Sequence, residues 1–185
     1  MQPFRIAIDP GHGGRDPGAV AGEIYEKDLN LNLSAYLFKL CLNRGLNPFL
    51  IRGGDYNLQL EERVNLAEAA GAELFLSVHH NGAASSSANG TETFHYPGSR
   101  LGVLYAEYIQ QGMIDVLGSR NRGVKTSDRL YVLSRTSMPA VLIEPLFATG
   151  EEDRLIYSRD NYYRDLAGGI IDSIMQLNRE LGRVN

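Results

Sequence analysis

At 185 residues, with 43% hydrophobic and 22% charged side chains, the chain is long enough to bury one ordinary core and short for several. A net charge of -4, spread without runs, excludes the basic stripe by which nucleic acid or an anionic membrane surface is bound. Cys41 is the only cysteine, which excludes an internal disulfide framework and a thiolate zinc cage; a metal here needs His and carboxylate ligands.

The N-terminus enters an apolar run almost at once, leaving no room for the basic and apolar regions of a signal peptide. No apolar run approaches the ~18 residues that a bilayer span needs, so no membrane insertion is expected. Residues 4–9 predict the first strand and 28–44 a helix closed by Gly45. A strand at 48–52, a helix at 58–70 closed by Gly71 and a strand at 74–79 follow. After a small polar loop at 83–89 come a strand at 91–96, a helix at 101–117 closed by Gly118, and strands at 130–133 and 140–144. Residues 161–181 place Leu166, Ala167, Ile170, Ile171, Ile174, Met175 and Leu177 on one face, as a terminal helix would. The pattern predicts an α/β fold in a single domain over residues 1–185. Its core would be a twisted, mostly parallel sheet of about six strands with helices on both faces.

Chemistry gathers where these strands end, since open α/β sheets bind ligands beyond their carboxyl edges. The first strand runs out in Asp9-Pro10-Gly11-His12-Gly13-Gly14, a proline and glycines bending backbone around a projecting imidazole. The third ends in Val78-His79-His80-Asn81, and the last closes four apolar residues with Glu144. Glu26, between the first strand and first helix, is within reach of the same rim. Two imidazoles and one carboxylate leave an open tetrahedral position, the pattern of hydrolytic zinc sites. The reading is therefore one zinc ion on His12, Glu26 and His79, with Glu144 as general base.

Each residue taken singly has an ordinary reading: a turn histidine at 12, a helix-entry charge at Glu26, an Arg ion pair for Glu144. Of His79 and His80, strand alternation sends one to packing. His95 reads as a strand or rim residue. Tyr96, Arg122, Lys125 and Arg135 are groove candidates or plain strand-end residues. Gly11, Gly13 and Gly14 miss the dinucleotide spacing, because position 16 is Asp16. Ser77, Ser134 and Ser137 lack a nucleophile elbow and Cys41 falls inside a helix, so covalent catalysis is not expected.

Six segments in order resemble the zinc-dependent N-acetylmuramoyl-L-alanine amidases of the amidase 3 family. They are Ile8 to Gly14, Glu26 to Leu31, Ser77-Val78-His79, Gly90-Thr91-Glu92-Thr93-Phe94, Arg122 to Lys125, and Met138 to Glu144. The resemblance implies cleavage of the amide joining N-acetylmuramic acid to L-alanine in peptidoglycan, with zinc on His12, Glu26 and His79 and catalysis by Glu144. Asn81 would orient the loop or touch substrate. His80 stands where the family often has a small residue, leaving the other imidazole open to the metal. Pro145-Leu146-Phe147 departs from the usual autolysin sequence and is more like phage endolysins of the family.

With Gly118 only about ten residues from the strand expected at 130–133, the long occluding helix of some division amidases has no room. The implied enzyme acts on the wall outside the cytoplasmic membrane, as a monomer, after phage lysis or removal of an export signal. Its alternatives are another zinc amide hydrolase, a peptidase or deacetylase; a binding module; and a structural metal site.

Overall fold

The computed structural model describes residues 3–184; Met1, Gln2 and Asn185 of the expected 1–185 domain lie outside the described residues. The elements are β1 (Arg5–Pro10), a hairpin of β2 (Val20–Ala21) and β3 (Ile24–Tyr25), α1 (Glu26–Asn43), β4 (Asn47–Leu50), α2 (Leu60–Ala69) and β5 (Leu74–Val78). They continue with β6 (Thr91–His95), α3 (Arg100–Leu117), β7 (Asn121–Thr126), α4 (Tyr131–Arg135), β8 (Ala140–Glu144), α5 (Glu151–Tyr157) and α6 (Tyr162–Glu180).

The main sheet has six strands in the order β4-β1-β5-β8-β6-β7. The first four are mutually parallel, whereas β6 runs antiparallel to β8 and β7 parallel to β6. Pro10, Val78 and Glu144 therefore share one edge, and β6 enters the sheet there, with Glu92 paired to Glu144.

Alternation along the strands builds two cores. Ile6, Ile8, Leu74, Leu76, Val78, Val141 and Ile143 face one way and are covered by α1, α3 and α6. Ala7, Phe75, Ala140 and Leu142 face the other, covered by Val64 and Ala67 of α2 and by Val132 and Leu133 of α4. Both faces being covered explains why β1, β5 and β8 read as continuous apolar runs.

The strand expected at 130–133 is a correction. Those residues enter the short helix α4, with Thr136 Oγ1 returning to the Val132 carbonyl at 2.8 Å. A four-residue apolar run satisfies either period, and here it is one face of a helical turn. The sixth strand is instead β7, a polar edge strand bonded on one side only. Between α3 and β8 the described residues hold only β7 and α4, with no long helix.

Candidate metal centre

β1 ends at Pro10, and the next residues turn so sharply that His12 adopts φ 61, in the left-handed region. For a side chain with a Cβ this costs about 1–2 kcal/mol and persists only when surroundings impose it. Two buried guanidiniums do so. Arg63 of α2 donates to the carbonyls of Pro10 and His12, each at 2.7 Å, and to Asp9 Oδ1 at 2.7 Å. Arg52, just past β4, donates to the carbonyls of Pro10 (3.3 Å) and Gly11 (3.2 Å). Three consecutive carbonyls are thus held by these guanidiniums, and His12 lines the cleft.

There His12 Nδ1–H donates to Asp16 Oδ2 at 2.8 Å, which leaves Nε2 pointing at Glu26 Oε1, 3.1 Å away. A carboxylate behind the ring fixes the tautomer and orientation a metal ligand needs. His79, one residue past β5, brings Nδ1 to the same Glu26 oxygen at 2.9 Å. One candidate donor atom from each of His12, Glu26 and His79 lies within 4.8 Å of the others, so the three could hold a metal ion.

Glu26 opens α1, where the first-turn N–H groups favour a negative charge. Burial opposes its ionisation, but the hydrogen bonds and charges of His12 and His79 hold it far below the usual carboxylate range. Burial likewise lowers His12, yet Glu26 and Asp16 outweigh it and the net shift is upward. Close approach demands small neighbours. A Cβ on Gly18 would lie 2.5 Å from Glu26 Oε2, and one on Gly11 would lie 2.2 Å from His79 Cε1.

Glu144, at the end of β8, lines the same cleft of about 610 Å³ as His12, Glu26 and His79. The two N–H bonds of the Asn81 amide reach two carboxylates: Glu92 Oε1 at 2.9 Å and Glu144 Oε2. Glu92 is the anchored member, taking Lys125 Nζ at 2.7 Å and Arg122 Nε on its other oxygen. Burial would raise Glu92, but those two cations hold it below the ordinary range. Glu144 has no such cation, and burial, then the charge of Glu92, push it up to about 8. The pair is split into a fixed anion and a carboxyl avid for a proton.

The family model for N-acetylmuramoyl-L-alanine amidases matches residues 6–176. The chain belongs to that family. Among curated relatives, the amidase is 40% identical over 172 residues to the uncharacterized Bacillus subtilis protein YqiI, covering 91% of this chain and 82% of that one. It is 39% identical over 177 residues to the B. subtilis N-acetylmuramoyl-L-alanine amidase LytC, covering 94% of this chain but 35% of LytC. Among solved structures, the catalytic domain of CwlV, an N-acetylmuramoyl-L-alanine amidase from Bacillus (Paenibacillus) polymyxa, superposes with a TM-score of 0.89 at 30% identity. That match covers 95% of this chain and 98% of that one.

In the amidase the other sequence candidates do not join the His12, Glu26 and His79 cluster. His80 is buried, its Nδ1 on Asn30 Oδ1 and its Nε2 on the Tyr162 hydroxyl, both at 2.8 Å, and burial lowers it to about 4. Both ring nitrogens are spent, and it does not join the cluster. His95 and Tyr96 lie at the opposite end of the sheet because β6 is antiparallel. Arg122 and Lys125 meet Glu92, while Arg135 packs on Tyr131. Ser77 bonds Asp9 at 3.1 Å, and the thiol of Cys41, wholly buried in α1, is pushed up to about 12. Sequence reasoning passed over Asp16, Arg63 and Glu92. The available signals were an acid four residues past His12, an arginine beside the apolar Val64 and Ala67, and an acid within a buried strand. Among the described residues no helix is long and apolar enough to cross a membrane.

Proposed function

We propose that residues 1–185 act as one catalytic domain that hydrolyses the amide between N-acetylmuramic acid and L-alanine in peptidoglycan, with zinc held by His12, Glu26 and His79. The observation that carries this reading is the convergence of those three side chains in the cleft that also holds Glu144. The donor set, two imidazoles and a carboxylate, fits zinc with an open position. Bound there, zinc supplies Lewis acidity toward the scissile carbonyl and toward an attacking water.

The chain's own residues do the rest. Asp16 orients the His12 imidazole from behind, and Asn81 aims the carboxyl of Glu144 into the cleft. Glu144 accepts the proton of the attacking water and returns it to the leaving amine of L-alanine, a double role suited to a carboxyl whose proton affinity is raised. The negative charge of Glu26 contributes a smaller share of that rise than burial and Glu92, and a cation held on Glu26 would offset that share. We place the activity at the wall, outside the cytoplasmic membrane, carried out by a monomer that takes a glycan-peptide and neither nucleic acid nor a membrane.

Digestion of purified peptidoglycan with and without chelator, followed by mass spectrometry, tests this. Free stem peptides beginning with alanine, with the lactyl acid of the sugar left intact, are expected; they vanish on chelation and return with zinc. Cleavage at a peptide or acetamide bond would transfer the site to a peptidase or deacetylase. Unimpaired release after chelation would remove zinc from the reaction.

A further inference from the structure

We propose that Arg63 is the positioning residue of His12: its guanidinium, anchored on Asp9, holds the carbonyls of Pro10 and His12 and so keeps the His12 backbone in its left-handed turn. This rests on the reading of His12 as a zinc ligand.

Arg63 is only 3% exposed and Asp9 1% exposed, and Ser77 holds the other Asp9 oxygen. The anchor is therefore almost wholly buried. From it Arg63 spends two different nitrogens on the loop, Nη1 on Pro10 and Nη2 on His12, while Nε takes the Leu58 carbonyl at 3.2 Å. Only a planar fork reaches an acid and carbonyls two residues apart at once. Arg63 lines the cleft but bonds the backbone of His12, whereas the imidazole's own partners are Asp16 and Glu26. A residue that only supported the core would have no need to grip the one non-glycine residue with positive φ among the described residues.

Arg63→Lys tests the idea, because lysine keeps a charge opposite Asp9 but lacks the fork. Zinc affinity is measured by chelator competition, alongside thermal unfolding of the metal-free protein and wall hydrolysis at rising zinc. The expected variant folds with a melting temperature near that of the parent, binds zinc roughly 10- to 100-fold more weakly, and regains parental kcat and KM once zinc saturates. If it does not fold, Asp9→Asn with Arg63→Gln, which removes both charges together, is measured in the same way. Zinc affinity within twofold of the parent in a folded variant overturns the proposal, as does failure of both variants to fold, which would make Arg63 purely structural. A parent chain that takes no zinc sinks the metal reading itself, and with it this one.

Discussion

Gly11 lies flat against the His79 ring, and replacing it with alanine should disable the centre without harming the fold. Its added Cβ would stand 2.2 Å from His79 Cε1, 2.3 Å from Nε2 and 2.7 Å from Nδ1. Carbon atoms settle at about 3.5–4.0 Å, so the ring has to retreat by roughly 1 Å or more. Metal–ligand distances tolerate only about 0.2 Å, and a displacement of this size costs a positioned reaction roughly 100-fold. Gly11 does not have a positive φ, so backbone strain does not confuse the result. Zinc titration should show weakened binding, wall lysis should fall by about 100-fold, and circular dichroism should be unchanged. A Gly11→Ala protein that binds zinc and lyses wall like the parent would refute the claim that His79 is held at the metal by this contact.

Glu144→Gln should retain zinc and lose turnover by about 100-fold or more. In its metal-free form it should also lose a pH dependence: a carboxyl whose folded value, about 8, exceeds its ordinary 4.5 costs stability as pH rises between them, and glutamine abolishes that decline. Glu92→Gln removes the charge that raises Glu144 and leaves Lys125 and Arg122 unneutralised. Both effects lower the proton affinity of Glu144, so the acidic limb of kcat/KM should move down by about one pH unit; an unmoved limb would count against the coupling. On α6, Gly168→Ala meets nothing within 4 Å and should stabilise by about 0.5–1 kcal/mol. Gly169→Ala would place a Cβ 2.6 Å from the Gly112 carbonyl of α3 and should lower the melting temperature.

Elements buried on both faces were legible because their periods are strong. The last strand appears at the residues read from sequence, 140–144, and the long helices begin and end within about two residues of their glycine and polar signals. The failures were at the margin of the sheet. Asn121 to Thr126 shows no apolar alternation because an edge strand packs little, while Leu130 to Leu133 looked like a strand because both its apolar side chains and its length suit either state. Helix α5 was not foreseen. Its role is to bring Asp153 to the backbone N–H groups of Phe147 (2.7 Å) and Gly90 (3.0 Å), contacts between loops that leave no local period.

The site divides in the same way. His12, His79 and Glu144 stood at the ends of legible strands, so a parallel sheet was enough to gather them. Glu92 stands at the start of its strand, and it reaches Glu144 only because β6 is reversed. Strand direction is a relation between paired strands and leaves no mark in Thr91 to His95 alone, which is why a local reading could not assign Glu92 to the centre. The reversal also has a chemical result. A fifth strand parallel to β8 would present the residues after Tyr96 at the catalytic edge. The antiparallel strand instead presents its beginning, and β7 beside it delivers Lys125 and Arg122 to the same oxygen of Glu92. The raised proton affinity of Glu144 is therefore a property of sheet topology as much as of any single side chain.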